Sequence, residues 1–226
     1  MKITYYGHSC FSVFAGGREL LFDPYVTANP LAKNIDVDAI KADYIFASHA
    51  HFDHISDLLL IAGNTDAKAV GGWELYNWFN ANGLKNTHPI NPGGKSDFDF
   101  GTVKSFAAVH SSSFEDGSYG GVPCGYAFKT PDGNFYYSGD TALTLDMQLV
   151  SKWGKMDFAV MPIGDGLTMG VEDAIAACHM IGVKRMIGVH YDTFGFIKIN
   201  HQRAVADFRD AGIELILIEI GESRDI

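Results

Sequence analysis

The sequence predicts a layered α/β fold, sheets covered by helices in a single domain over 1–226, and three observations predict it. Up to about residue 140 the chain reads mostly as short strands separated by Gly-rich and Pro-Asp-Gly turns. From about residue 145 helix and strand patterns alternate, which is α/β character. No linker, charge block, low-complexity tract or repeat divides the chain.

Residues 2–6, 10–15 and 19–22 read as strands broken by Gly7 and Gly16-Gly17, an antiparallel meander ended by Asp23-Pro24. Tyr44 to Ala47 is an apolar run that stops at Ser48-His49, as a buried strand feeding a loop does. Asp53 or Ser56 caps a helix to about Ala62, Lys68 to Val70 reads as a strand, and Trp73 to Asn82 as a helix closed by Gly83. Further strands are expected near 87–90, 97–100, 102–109, 124–129 and 134–138, with Asp132-Gly133 as a hairpin turn. Helices over 145–153, 171–181 and 200–211 then alternate with strands over 157–161, 184–189 and 214–218.

The chain is 47% hydrophobic and 19% charged, an ordinary globular balance, and no apolar run approaches the length that spans a bilayer. No membrane association is expected. The N-terminus alternates polar and apolar residues instead of carrying the continuous apolar core of a secretory signal. Cys10, Cys124 and Cys178 are widely spaced and odd in number, which fits neither a disulfide framework nor a cysteine knuckle and suits a reducing, cytoplasmic setting. A formal charge of −10 with scattered Lys and Arg argues against nucleic-acid binding. Scattered aromatics are compatible with a homo-oligomer contact.

His49-Ala50-His51-Phe52-Asp53-His54 packs three imidazoles and a carboxylate into six residues, the ligand types that zinc and similar cations prefer. Chance assembly of such a hexapeptide at this composition is on the order of one in a thousand. At a strand end His49 and His51 project to the same side and grip one ion, while Asp53 and His54 turn toward a second point. Six residues cannot complete two coordination shells. The further candidates are His110 after Val103 to Val109, Asp140 after Tyr136-Tyr137-Ser138-Gly139, and His190 after Met186 to Val189, all following apolar runs.

His-x-His-x-Asp-His, then His110, Ser138-Gly139-Asp140-Thr141 and His190, resembles the metallo-β-lactamase superfamily over the whole chain. Gly7-His8-Ser9-Cys10-Phe11, Leu21-Phe22-Asp23-Pro24, His110-Ser111-Ser112-Ser113, Thr168-Met169-Gly170 and His190-Tyr191-Asp192-Thr193-Phe194 resemble, more narrowly, a UPF0173-like family of small metal-dependent hydrolases. The resemblance implies an αββα four-layer sandwich with the site on one edge. It also implies one metal on His49, His51 and His110, a second on Asp53, His54 and His190, and Asp140 bridging them.

The expected cofactors are two divalent metal ions, zinc first, with manganese, iron or nickel as alternatives. The expected chemistry is hydrolysis of an ester, lactone, amide, phosphodiester or thioester of a small-molecule substrate by a metal-bound hydroxide. No Gly-x-Ser-x-Gly occurs, so a covalent serine nucleophile has no support. Asp53 is the first catalytic candidate, as ligand and as acceptor orienting the nucleophile. His8 is the second, because the resembling family carries it near the site, in substrate binding or proton transfer; a loop histidine bonded to backbone is its competing reading.

His88, His179 and His201 read as packing or helix-start residues, and Asp23, Asp165 and Asp192 as turn formers or caps, with hydrogen bonding to a ligand histidine the alternative. The segment Ser111 to Pro123, with Phe114 and Tyr119, is either a pocket border or a plain surface loop. Two other functions compete: a di-iron redox protein, against which the absence of a flavin-binding segment counts, and a non-catalytic metal-binding module, against which the complete ligand set counts.

Overall fold

The N-terminal alternation folds as an antiparallel meander of β1 (Lys2–Gly7), β2 (Cys10–Ala15) and β3 (Arg18–Phe22) in the computed structural model, which describes residues 1–226. Parallel strands β4 (Tyr44–Phe46), β5 (Lys68–Gly71) and β6 (Thr87–Pro89) extend that sheet from β3. Its outer face carries α1 (Phe52–Ile55), α2 (Leu58–Thr65) and α3 (Trp73–Ala81).

The helix expected from residue 53 or 56 to 62 is two helices, and the break has a local cause. The Asp57 carboxylate turns back to accept from the backbone N–H groups of Val26 (2.6 Å) and Thr27 (2.9 Å), tying the loop after β3 to this point. Asp57 accordingly leaves helical geometry, at φ −101° and ψ 2°.

The second sheet takes β7 (Lys95–Phe98), β8 (Gly101–Ala107), β9 (Cys124–Thr130) and β10 (Gly133–Tyr137) as antiparallel neighbours, then β11 (Phe158–Pro162), β12 (Arg185–Val189) and β13 (Glu214–Ile216) as parallel ones. Helices α4 (Met147–Trp153), α5 (Val171–Ile181) and α6 (His201–Asp210) cover it. The β7–β8 turn lies two residues earlier than expected: Phe98 pairs with Gly101, leaving Asp99 and Phe100 as the turn. Asp99 accepts from the Tyr44 hydroxyl (2.7 Å) and from Arg18, and Phe100 is fully buried. A short exposed strand not anticipated from the sequence, β14 (Ser223–Asp225), pairs with β1.

Three apolar cores separate four layers, in the order helices, sheet, sheet, helices. The middle core is aromatic: Phe22 and Phe46 of the first sheet meet Phe128 of the second at ring-centroid distances of 5.4 and 5.0 Å, and Phe11 meets Tyr137 at 5.1 Å. Each such fully buried ring contributes about 2–3 kcal/mol in transfer free energy, so this core fixes the sheets against each other. No helix is long and apolar enough to cross a membrane.

Candidate metal centre

Strand direction decides where the candidate ligands meet. In the first sheet β1, β3 and β4 run the same way, and in the second β8, β10 and β12 do, so their C-terminal ends lie along one edge of each sheet. His8, Asp23 and His190 immediately follow β1, β3 and β12, while His49, His110 and Asp140 stand three residues past β4, β8 and β10. The hexapeptide carries on from His49 into α1, placing His51 at its N-cap and Asp53 and His54 inside it. His8 (φ 55°), Asp23 (φ 39°) and His190 (φ 55°) hold left-handed backbone, which non-glycine residues seldom adopt and which turns each side chain sharply off its strand. The backbone N–H of His190 donates to the carbonyl of His8 at 2.8 Å, locking two of these turns together across the sheets.

All seven expected ligands converge. Donor atoms of His49, His51 and His110 lie within 4.8 Å of one another, and so do those of His8, Asp53, His54 and His190. Asp140 lies between the groups: its Oδ2 is 2.9 Å from His190 Nε2, 3.2 Å from His54 Nε2 and 3.7 Å from His110 Nε2. His49 Nε2 and His51 Nδ1 approach to 2.8 Å. The arrangement matches one three-histidine pocket and one mixed pocket sharing a carboxylate.

The residues present fit divalent cations, and the orphaned atoms say so. His54 Nε2 and Asp140 Oδ1 are buried and have no hydrogen-bond partner, a cost of about 1–3 kcal/mol each unless an ion satisfies them. In His49 and His54 the nitrogen on the far side of the ring is held by a hydrogen bond, whereas His190 Nδ1 is buried without a partner. Asp23 is fully buried; its carboxylate accepts from the Ser48 hydroxyl (2.6 Å), the Ser48 backbone N–H (2.7 Å), the Tyr137 hydroxyl and His54 Nδ1 (2.7 Å). Because Ser48 Oγ gives its proton to Asp23, it accepts one from His49 Nδ1 (2.9 Å). His49 therefore presents a bare Nε2 toward the site, and His54, its Nδ1 held by Asp23, does so once a cation replaces the proton on its Nε2. Ser111 Oγ stands 3.4 Å from His51 Nε2.

Burial first, and then the neighbouring charges of the cluster, shift its titrating groups. Burial pulls His49 well below the ordinary imidazole range, with His54 adding to it, and pulls His51 and His110 down as well. Burial and then His190 bring His8 down to about 4. Burial opposes charge on His54 too, yet Asp140, Asp23 and Asp53 around it raise it well above its usual value. Burial disfavours ionised Asp53 and Asp140, but the neighbouring imidazoles overcome it: His54 and His8 lower Asp53, and His190 and His54 lower Asp140. Neutral His8, His49, His51 and His110 beside ionised Asp53 and Asp140 are the protonation states that metals require, and a cation would take the place of the proton that the three carboxylates favour on His54.

Asp23, read from the sequence first as a turn former, instead takes its alternative reading: it anchors two of the expected ligand histidines, His54 directly and His49 through Ser48. The signal was present: it directly follows an apolar strand, as His190 does. Ser48 and Thr193 were also missed; Thr193 Oγ1 lies 3.0 Å from His8 Nδ1. His8 itself is not a loop histidine on backbone, since its Nε2 faces Asp53 Oδ2 at 3.0 Å. His88, bonded to Ser96 (2.9 Å), His201, paired with Asp192 (2.6 Å), and exposed His179 on α5 do not join the ligand cluster. Asp165 accepts from the Gly166 N–H in a tight turn. Within the 111–123 loop, Ser112 Oγ accepts from the Ala50 N–H at 3.2 Å and Phe114 stacks on Trp78 at 5.5 Å, so the loop braces the hexapeptide from behind.

Known proteins resemble this chain in sequence and in fold. Residues 18–191 match the model of the β-lactamase superfamily domain. A UPF0173 metal-dependent hydrolase of Flavobacterium johnsoniae is 47% identical over 226 residues, covering 100% of both chains. The structure of Igni18, a metallo hydrolase of the hyperthermophilic archaeon Ignicoccus hospitalis, superposes with a TM-score of 0.89 at 31% identity, covering 99% of this chain and 97% of that one. An isothiocyanate hydrolase from Delia radicum gut bacteria shares the fold, with a TM-score of 0.81 at 19% identity over 100% and 99% of the two chains.

Proposed function

The chain belongs to the β-lactamase superfamily and, within it, to the UPF0173 metal-dependent hydrolases; from that premise we propose that it hydrolyses an ester, lactone, amide or phosphodiester bond of a small molecule at a two-metal centre, zinc being the first candidate. The observation that carries this reading is the pair of donor groups, His49, His51 and His110 beside Asp53, His54 and His190, with Asp140 between them.

When bound, such cations lower the pKa of water from about 15.7 toward roughly 7 and polarise a carbonyl or phosphoryl oxygen. The chain's own residues do the rest. Asp23 and Ser48 hold the imidazoles of His54 and His49 in the tautomers that face the site. Asp53, with 22% of its side chain exposed against 3% for Asp140, is the solvent-facing carboxylate of the cluster, placed to accept a hydrogen bond from an attacking water and orient it. No serine or cysteine stands as an activated nucleophile: Ser48 is committed to Asp23, Ser111 Oγ lies 3.4 Å from a His51 that is itself an expected ligand, and burial pushes the Cys10 thiol far above its usual range.

The test is a hydrolysis screen over aryl esters, lactones and phosphodiesters, with a chelated sample and His51→Ala as controls and elemental analysis of the native protein. Turnover that chelation and His51→Ala abolish supports the reading. Turnover indifferent to both sinks it.

A further inference from the structure

We propose that His8 Nε2 is a further protein ligand of the ion on the Asp53, His54 and His190 side, beyond those three and the shared Asp140. The inference rests on the two-metal reading and adds to it a donor from the opposite end of the chain.

His8 is 1% exposed, and its ring lies 4.1 Å from that of His190 and 5.7 Å from that of His54. Its Nε2 falls in the same 4.8 Å group as the donor atoms of Asp53, His54 and His190. Donors about 2.0–2.2 Å from a common five-coordinate ion stand roughly 3–3.6 Å apart when adjacent, against 3.0 Å from His8 Nε2 to Asp53 Oδ2 and 4.0 Å from Asp53 Oδ2 to His54 Nε2 and to His190 Nε2 here. The left-handed backbone at His8, φ 55°, is what aims the ring inward; an extended residue there would send it elsewhere.

The second nitrogen supplies an independent argument. A ligand histidine nearly always donates its remote N–H to an outer acceptor, and His8 Nδ1 has one in Thr193 Oγ1 at 3.0 Å. Thr193 can release its own hydroxyl proton to the Tyr191 carbonyl at 3.4 Å, which leaves its oxygen free to accept from Nδ1–H. Thr193 is thus a positioning residue. Without metal the opposite tautomer holds: a carboxylate only accepts, so Nε2–H donates to Asp53 Oδ2 at 3.0 Å and Nδ1 accepts from Thr193. Loading moves no net charge at His8. Nε2 gives a proton to solvent, Nδ1 takes one, the Thr193 hydroxyl rotates to Tyr191, and the Asp53 oxygen exchanges its hydrogen bond for the cation.

The pocket of His49, His51 and His110 has no such additional imidazole. The His8 side is therefore the more completely protein-coordinated, and the three-histidine side keeps the more open position for substrate.

Nitrogen NMR of the full chain, labelled at histidine and loaded with cadmium, reads the proposal directly. A one-bond cadmium coupling at His8 Nε2, with the proton on Nδ1, is the expected result. His8→Asn, whose short polar side chain tolerates left-handed backbone, should keep the fold by circular dichroism. In chelator competition it should weaken one of two zinc equivalents by at least about 100-fold, beyond the roughly 10- to 100-fold expected of an outer partner such as Thr193→Val. Two bound equivalents with the proton still on His8 Nε2 would overturn the assignment and leave the two-metal reading intact. Failure to bind two equivalents would overturn both.

Discussion

Asp23 and His54 are joined by a 2.7 Å hydrogen bond between two side chains with no solvent exposure, one directly after β3 and the other inside α1. That bond, together with the Ser48 bridge to His49, makes a single carboxylate the outer support of both candidate metal pockets.

Asp23→Asn places an amide N–H₂ or a single carbonyl where four donors now converge, so at least one of His54, Ser48 and Tyr137 loses its acceptor. Zinc affinity should fall about 10- to 100-fold for each equivalent, read by chelator competition. Tyr137→Phe removes only one of those bonds and should cost about 1 kcal/mol of stability with metal binding nearly unchanged. Equal metal affinities for wild type and Asp23→Asn would refute the shared-anchor role.

Asp53→Asn should separate chemistry from folding. The side chain is partly open to solvent and belongs to no apolar core, so the melting temperature should stay close to wild type when metal is saturating. Turnover should fall by about 100-fold or more, because a neutral amide is a weaker ligand and a weaker hydrogen-bond acceptor for the attacking water than a carboxylate. A variant with wild-type turnover removes Asp53 from the mechanism.

Gly139 carries the turn that swings Asp140 between the two pockets. It sits at φ +60°, and a Cβ there would lie 2.7 Å from both the Cys124 carbonyl oxygen and Ser48 Cβ. Gly139→Ala should cost at least about 2 kcal/mol in urea unfolding and should also weaken metal binding, since Ser48 is pushed off Asp23 and His49. Gly83 makes the control: its φ is +91° but nothing lies within 4 Å of an added Cβ, so Gly83→Ala should pay only about 1 kcal/mol in backbone strain.

The parts of this molecule legible in the sequence are those whose cause is local. His49, His51, Asp53 and His54 announce themselves because a strand end and a helix start fall within six residues, and β1 to β3 because their glycines punctuate a two-residue alternation. Asp23 reads first as a turn former, with hydrogen bonding to a ligand histidine only as the alternative, because Asp-Pro after a strand is also an ordinary turn, and its partners Ser48, His54 and Tyr137 lie 25, 31 and 114 residues away. Thr193 is harder still, its role depending on His8, 185 residues earlier. β14 has an exposed Ser-Arg-Asp sequence with no apolar face to reveal it, and pairs with β1 from the far end of the chain.

Acid should act on the metal-free protein through these same imidazoles, and the sign follows from the direction of each shift. His8, at about 4, and His49, His51 and His110, all lowered mainly by burial, bind protons less readily folded than unfolded. Below the free imidazole value of about 6.5 the unfolded chain takes up protons that the folded one refuses, so stability falls as pH drops from about 6.5 toward 4. Asp53 and Asp140, lowered by their histidine neighbours against the effect of burial, contribute stability that is present above about 3.9 and lost at still lower pH. His54 runs the other way: its raised value stabilises fully below about 6.5, and that contribution disappears as pH rises through its folded pKa. With four imidazoles against one, the urea midpoint of chelated protein should drop between pH 6.5 and 4, and His49→Gln should flatten the slope by removing one of the four. Because protons also displace bound cations, zinc-loaded protein should lose its metal in the same window. A urea midpoint of chelated wild type that stays level from pH 7 to 4 would mean that these rings are not buried neutral in solution.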